Sequence, residues 1–115
     1  MNTTATTKGR KGGTVIYEVD LEVDNAIAAD YRAWLRGHVA EMLELPGFTG
    51  ARTYEVVEPV PSAGCIRLCV QYRLRDRDAL DAYLREHAPR MRADGVARFG
   101  DRFRAQRRVL TALKR

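Results

Sequence analysis

Apolar and polar residues alternate almost without interruption between Val15 and Val23. One set is apolar (Tyr17, Val19, Leu21 and Val23) and the other is mostly acidic (Ile16, Glu18, Asp20 and Glu22). Because successive side chains of a strand point to opposite faces, this pattern predicts a β-strand with one apolar and one polar face. The rest of the chain is expected to supply helices that cover the apolar face and strands that pair with its edges.

Two amphipathic helices are predicted. The first runs from about Asn25 to Leu45, with Asp24 as its N-cap and Pro46-Gly47 after its end. Its apolar stripe consists of Ile27, Tyr31, Trp34, Leu35, His38, Met42 and Leu45. The stripe of the second consists of Ala79, Leu80, Tyr83, Leu84, His87 and Met91.

The ends of the second helix are marked by capping and breaking residues. Asp76 or Asp78 is expected to cap its beginning. Pro89 should kink or restart it, and Gly95 or Gly100 should end it.

Three further strands complete the pattern, over residues 48–58, 65–74 and 101–110, and a Pro-rich turn at residues 59–64 joins the first two. The order strand, helix, strand, strand, helix, strand is that of the ferredoxin-like plan. The sequence therefore predicts an α+β fold with an antiparallel four-stranded sheet in the order fourth, first, third, second. Both helices should lie on one face of that sheet.

The composition indicates a single soluble domain. The chain has 115 residues, 45% of them apolar and 30% charged. Residues 1–13 are expected to form a disordered tail, residues 14–110 the domain, and residues 111–115 a frayed end. No apolar run approaches the roughly 18 residues of a membrane span.

The two cysteines, Cys65 and Cys69, favour a cytoplasmic location. On one strand face they would lie about 13 Å apart, too far to form a disulfide with each other.

The net charge of +5 is unevenly distributed: residues 14–84 are acidic by five charges and residues 85–115 are basic by seven. A structural interpretation pairs the acidic face of the first strand with neighbouring arginines. The candidates are Arg67 and Arg73 on one side, and either Arg102, Arg104 and Arg108 or Arg107 on the other. Binding of RNA or another anion by the basic last strand is a third functional interpretation, but the acidic neighbour repels phosphate and disfavours nucleic acid.

The two histidines, His38 and His87, are the most informative polar residues, because each lies within an apolar helical stripe. A functional interpretation makes them catalytic groups in a pocket between helices and sheet. The expected ligand-binding residues are Tyr31, Trp34, Tyr54, Tyr72, Tyr83 and Arg107. The alternative is structural, with each imidazole bonded to a buried tyrosine or a backbone carbonyl.

No catalytic signature or cofactor site is evident. Glu41 is the only candidate ligand three or four residues after a histidine, whereas zinc and iron sites use three or four ligands. We therefore expect no metal and no cofactor. Ser62 lies in the Pro-rich turn, and neither cysteine has an evident paired base.

Motifs along most of the chain resemble a family of small bacterial proteins catalogued only as a domain of unknown function. They are Val15–Val23 followed by Tyr31-x-x-Trp34-x-x-x-His38; Leu45-Pro46-Gly47-Phe48 with Gly50-Ala51; and Tyr72-Arg73-Leu74, Leu80-x-x-Tyr83-x-x-x-His87-Ala88-Pro89 and Phe99-Gly100 to Arg107-Arg108-Val109-Leu110. More distantly the chain looks like the dimeric α/β-barrel superfamily. That superfamily includes cofactor-free antibiotic-biosynthesis-type monooxygenases, muconolactone-isomerase-like enzymes, haem-degrading enzymes and members with no known activity.

The resemblance implies a ferredoxin-like homodimer with two sheets pressed face to face and a pocket between helices and sheet. It assigns no catalytic residue. Two functions are expected: a homodimer that binds a small organic ligand, or a cofactor-free monooxygenase or isomerase acting on an aromatic or polyketide-like molecule. In the second, His38 or His87 would take a proton from the substrate while an aromatic side chain positions its ring.

Overall fold

The computed structural model describes residues 13–114. Its elements are β1 (Val15–Asp24), α1 (Ala28–Met42), β2 (Phe48–Glu55), β3 (Cys65–Leu74), α2 (Arg77–Glu86), α3 (Ala88–Phe99) and β4 (Phe103–Thr111). A 3-10 turn, Asn25–Ile27, connects β1 to α1. Except for Gly13, the predicted disordered tail lies outside the described residues.

The sheet confirms the predicted ferredoxin-like topology. Its four strands lie in the order β2-β3-β1-β4, and every neighbouring pair is antiparallel. β1 is central, as its alternation predicted, and pairs along its length with both β3 and β4.

The core lies between the sheet and the helices, on what we call the covered face. The apolar set of β1 meets Leu68, Val70, Tyr72 and Leu74 of β3 there, and Leu80 of α2 is fully buried against them. Complete burial of a side chain such as Leu80 contributes about 1.5–3 kcal/mol. Along both strands the buried residues are mostly every second one, as a sheet covered on one side requires.

The first helix begins later than its sequence suggested. The predicted capping role of Asp24 is wrong, because its side chain makes no capping hydrogen bond. Its Oδ1 instead accepts a hydrogen bond of 3.0 Å from Arg104 of β4. The Asp24 carboxylate therefore forms an ion pair with Arg104 and does not cap the helix.

The second predicted helix is two helices. Asp76 caps α2, its Oδ1 accepting a 2.8 Å hydrogen bond from the Ala79 amide. Pro89 lies in the first turn of α3, so it restarts the helix rather than kinking it. Gly100, at φ +60°, ends α3, whereas Gly95 lies within it.

The other side of the sheet, which we call the open face, has no helix over it within residues 13–114. It shows the predicted charge neutralisation: Glu22 pairs with Arg104 at 3.1 Å, and Glu18 pairs with Arg108 at 2.6 Å. Of the two alternatives left open by the sequence, Arg104 and Arg108 form the ion pairs and Arg107 does not; Arg102, predicted with Arg104 and Arg108, makes no ion pair within residues 13–114. No helix in the described part of the chain is long and apolar enough to cross a membrane.

Candidate functional site

A cavity of about 340 Å³ lies between the covered face of the sheet and helices α1 and α3; we call it the sheet–helix cavity. β1 and β3 supply its floor, with Tyr17, Val19, Leu21, Val70 and Tyr72. α1, α2 and α3 supply Tyr31, Trp34, Leu35, His38, Met42, Tyr83, Met91, Arg92, Gly95 and Val96. Phe103, Ala105 and Arg107 of β4 and Gly100 before it complete the lining.

Two small residues, Gly95 and Ala105, shape the cavity. A Cβ atom on Gly95 would lie 3.1 Å from Cη2 of Trp34 and 3.3 Å from Cζ of Phe103. Glycine therefore lets α3 pack directly against these two rings. Ala105, in the middle of β4, leaves room over the sheet where a larger side chain would fill the cavity.

Aromatic rings form much of the wall. Tyr31 lies 5.4 Å from Trp34 and 5.1 Å from Phe103, measured between ring centroids. The imidazole of His38 stacks on Trp34 at 4.6 Å with 21° between the ring planes. Such a surface suits a flat, apolar ligand, because rings prefer offset-stacked and edge-to-face contacts.

His38 is the polar group of α1 that lines this cavity. Its Nδ1 is buried and has no hydrogen-bond partner within the described chain. Burial lowers the pKa of the imidazole, an effect strengthened by the Arg107 charge and opposed by Asp94 and Glu41. The ring is therefore neutral near pH 7 and can accept a proton or a hydrogen bond.

His87 and Tyr54 do not join His38. His87 lies between α2 and α3, with its Nδ1 2.8 Å from Nη2 of Arg90, and it does not line the cavity. Tyr54 pairs in register with Cys69, which places it on the open face, and it is 44% exposed. The structure brings together six of the eight predicted residues: His38, Tyr31, Trp34, Tyr72, Tyr83 and Arg107.

Tyr17, Arg92 and Phe103 also line the cavity and were not among the predicted site residues. Nη2 of Arg92 donates a 2.9 Å hydrogen bond to the Tyr17 hydroxyl, across the space between α3 and β1. The alternation of β1 already placed Tyr17 on the covered face and could have identified it. Arg92 had no such signal, because only the packing of α3 brings it back to β1.

Three tyrosines of the cavity, Tyr31, Tyr72 and Tyr83, are poorly suited to act as bases. Burial raises the pKa of Tyr83 to about 12 and raises the pKa values of Tyr31 and Tyr72 as well. All three phenols are protonated at neutral pH. His38 is thus the one ordinary proton acceptor among the cavity side chains that the structure describes.

One group of side chains has metal-ligating chemistry. Donor atoms of His38, Glu41 and Asp94 lie within 4.8 Å of one another beside the cavity. Glu41 and Asp94 are exposed, and Oδ2 of Asp94 already accepts a 3.2 Å hydrogen bond from the Trp34 indole. The sequence could not supply this third donor, because α3 contributes it. The absence of a metal stays a prediction.

The cysteines on the open face are not arranged for nucleophilic chemistry. Burial and the neighbouring Glu18 and Asp20 carboxylates raise the pKa of Cys69 to about 11. Cys65 accepts a 3.4 Å contact from Arg104 at the end of the same face. The reacting form of cysteine is the thiolate, which the Cys69 environment suppresses.

Solved structures with this fold cover most of the chain. A candidate antibiotic biosynthesis monooxygenase from Bordetella bronchiseptica has a TM-score of 0.67 at 14% identity, covering 89% of this chain and 99% of its own. SnoaB, a cofactor-independent oxygenase from Streptomyces nogalater, has a TM-score of 0.62 at 16% identity, covering 90% and 96%. A candidate oxidoreductase of unknown function from Bacteroides thetaiotaomicron has a TM-score of 0.65 at 12% identity, covering 88% and 99%.

These similarities concern the fold, since every identity is low. No curated protein sequence matches the chain. The family match, by contrast, extends over residues 14–113 and so includes every element of the sheet and both sides of the cavity. The chain belongs to the family described as domain of unknown function DUF4286.

Proposed function

We propose that this protein binds a small organic molecule in the sheet–helix cavity. The observation that carries the proposal is the Nδ1 atom of His38, which is buried beside an aromatic cavity and has no partner within residues 13–114. A histidine with a purely structural role would have its buried nitrogen satisfied by a protein group. A small shift of the imidazole toward the cavity would let a ligand hydroxyl, amide or acidic C–H group supply this partner.

The size and lining of the cavity support this proposal. Ligand sites are usually 300–1,000 Å³ and mostly apolar with a few polar groups, and about 340 Å³ is at the small end of that range. The ligand is therefore a compact molecule of a few rings. Trp34 and Tyr31 offer it flat apolar surface, while His38 offers a single directional contact.

The protein is further proposed to act as a homodimer in the cytoplasm, with two open faces pressed together. Glu18 on the open face is only 5% exposed, although its partner Arg108 is well exposed. A face whose acids are already paired can be covered by a second copy without leaving isolated charges. Small oligomers are most often two-fold symmetric.

A second candidate is a cofactor-free monooxygenase or isomerase. The lowered pKa of His38 favours it, because a neutral imidazole can take a proton from an acidic carbon or hydroxyl of the substrate. Trp34 would hold the substrate ring by stacking. The similarity to SnoaB supports this candidate only as an analogy of fold.

The paired arginines of β4 weaken the third interpretation, binding of RNA or another anion on the open face. Arg104 and Arg108 are both engaged with acids of β1. We keep the prediction that nucleic acid is not a partner.

The test is native mass spectrometry of freshly purified protein, followed by titration of candidate ligands with Trp34 fluorescence as the signal. Trp34 is the only tryptophan of the chain and lines the cavity, so its emission reports directly on occupancy. We expect a dimer, and ring compounds that quench Trp34 in the wild type. His38→Gln should weaken their binding, whereas the matched control His87→Gln, outside the cavity, should not.

Oxygen consumption and product analysis with the compounds that bind separate the two candidates. Turnover that is lost in His38→Gln and kept in His87→Gln supports the enzyme. Binding without turnover supports the binding protein. A wild-type protein whose Trp34 emission responds to no ring compound would overturn the cavity proposal, and a monomer would overturn the proposed assembly.

A further inference from the structure

The formally charged residues that line the sheet–helix cavity all carry a positive charge. Arg92 on α3 and Arg107 on β4 line it, together with the neutral His38. No aspartate or glutamate is among the lining residues in the part of the chain that the structure describes. Two guanidinium groups in a largely aromatic cavity produce a positive electrostatic potential. This potential favours an anionic ligand over a neutral one.

Arg107 differs from its neighbours on β4. It pairs in register with Val19 on the covered face, whereas Arg104 and Arg108 pair with acids on the open face. Within residues 13–114, Arg107 has no carboxylate partner. Its charge nevertheless acts on cavity groups. It adds to the burial that lowers the pKa of His38, and it partly opposes the burial that raises the pKa values of Tyr31 and Tyr72. The positive charge of Arg107 would therefore attract an anion that enters the cavity.

Arg92 is held in position for the same contact. One of its N–H groups donates to the Tyr17 hydroxyl at 2.9 Å, which fixes the guanidinium between α3 and the sheet. The remaining N–H groups are available, since a guanidinium has five donors and can bind a carboxylate through two of them. The Tyr17 hydroxyl keeps its own proton for a second acceptor.

Two acids beside the cavity would influence the orientation of a ligand. Asp94 and Glu41 lie beside His38, and the Trp34 indole already donates to Asp94. A negative group is disfavoured near these carboxylates and favoured near Arg92 and Arg107. The flat body of the ligand would then lie against Trp34 and His38.

We propose that the ligand of the sheet–helix cavity is an aromatic anion, a carboxylate or an ionised enol on a flat ring system, whose charged group is bound by Arg107 and Arg92. This inference rests on the proposed ligand-binding function and names its ligand class. It also fits the position of Arg107, which lines the cavity and is exposed to solvent on the edge strand β4.

The test compares an acid with its neutral isostere. 2-Naphthoate and 2-naphthamide have the same ring system and nearly the same shape, and both can be titrated against Trp34 fluorescence. We expect naphthoate to bind at least about tenfold more tightly, since a hydrogen bond to a charged group contributes roughly 1.5–3 kcal/mol. Its affinity should fall with added salt, whereas that of naphthamide should not.

Arg107→Gln should remove most of the preference for naphthoate and change naphthamide binding less than about twofold. Arg92→Gln should act in the same direction. The matched control is Arg98→Gln, an exposed arginine of α3 that does not line the cavity and should leave both affinities unchanged. Circular dichroism and melting temperature confirm that each variant is folded.

The outcomes separate this inference from the proposed function. Equal binding of naphthoate and naphthamide would overturn the anion inference and leave the cavity as a ligand site. An equal loss of naphthoate affinity in Arg98→Gln would also overturn it, because the effect would then come from net charge. If neither compound altered Trp34 emission, both the inference and the proposed function would be overturned for ligands of this ring class.

Discussion

The ion pair between Glu18 and Arg108 makes a quantitative prediction about stability. Glu18 is 5% exposed and accepts hydrogen bonds from Nε of Arg108 at 2.6 Å and from Nε2 of Gln71 at 2.9 Å. Arg108→Met keeps the aliphatic stem and removes the guanidinium. The carboxylate is then left with neutral partners only, Gln71 and Cys69.

The expected decrease in the free energy of unfolding lies between two limits. Exposed ion pairs contribute about 0–1 kcal/mol, and breaking a fully buried pair costs about 3–5 kcal/mol. Here Glu18 is buried and the Arg108 side chain is 69% exposed. We therefore expect Arg108→Met to lower the free energy of unfolding by about 2 kcal/mol, the range of a charged hydrogen bond. The melting temperature should fall by about 8 °C.

The assay is urea unfolding at a single protein concentration, so that dimerisation does not alter the comparison. Arg102→Met, which removes an exposed arginine that has no ion pair in the described part of the chain, is the matched control and should lower the free energy of unfolding by less than about 0.5 kcal/mol. Glu18→Gln combined with Arg108→Met should recover much of the loss, because no buried charge remains.

Acid provides a second check on the same pair. The hydrogen bond from Arg108 lowers the pKa of Glu18 below its ordinary value of 4.5. The stability that this group contributes is therefore present above pH 4.5 and is lost as the pH falls through the lowered pKa. The difference between wild type and Arg108→Met should shrink in acid. A loss at neutral pH no larger than that of Arg102→Met, or one that persists unchanged in acid, would refute the reasoning.

Four further predictions follow from single groups. Burial lowers the pKa of His38 below 6.5, so its contribution is complete above pH 6.5 and is lost as the pH falls below that value; the melting temperature of the wild type relative to His38→Gln should therefore drop between neutral pH and about pH 5. Because the pKa of Cys69 is raised to about 11, iodoacetamide should label it about a hundredfold more slowly in the native protein than in urea, as peptide mass spectrometry will show. Asp76→Ala should cost about 1 kcal/mol in urea unfolding through the lost cap of α2, and Asp76→Asn should recover most of it. Chelator treatment should leave the melting temperature unchanged and elemental analysis should find no stoichiometric metal, because the exposed Asp94 is already bonded to Trp34.

Much of the fold was predictable because its periodicities are strong. The alternation of Val15–Val23 identified the central strand, and the order of elements then left one common topology. The cavity residues on α1 followed from the same logic, since Tyr31, Trp34 and His38 share a helical stripe. Spacing along the chain is sufficient to predict which side chains lie together when those side chains belong to the same helix or strand.

The side chains that the sequence placed less well depend on other elements. Tyr54 is the clearest case, because a β-bulge lies between Phe48 and Gly50. Strict alternation from the buried Phe48 would have put Tyr54 on the covered face. One extra residue reverses that alternation and sends Tyr54 to the open face. Gly50 within β2 is a residue type that often marks a bulge, but only the pairing of β2 with β3 shows where the register shifts.

His87 and Arg92 show the same limit for helices. His87 falls on the predicted stripe of one long helix, but the chain divides into two helices between Glu86 and Ala88. His87 is the junction residue and contacts Arg90, whereas Met91, the next residue of the stripe, lines the cavity. Arg92 of α3 contacts Tyr17 of β1. This contact depends on how α3 packs against the sheet and not on spacing along the chain.

The last strand joins the structural and functional proposals through its register. Arg107 and Arg108 are adjacent in sequence, yet one faces the cavity and the other a buried acid. A slip of one residue would exchange them and would also move Phe103 out of the core cluster. Because that register separates their roles, Arg107→Gln should weaken anion binding with little effect on unfolding. Arg108→Met should reduce stability while the folded protein keeps its preference for naphthoate.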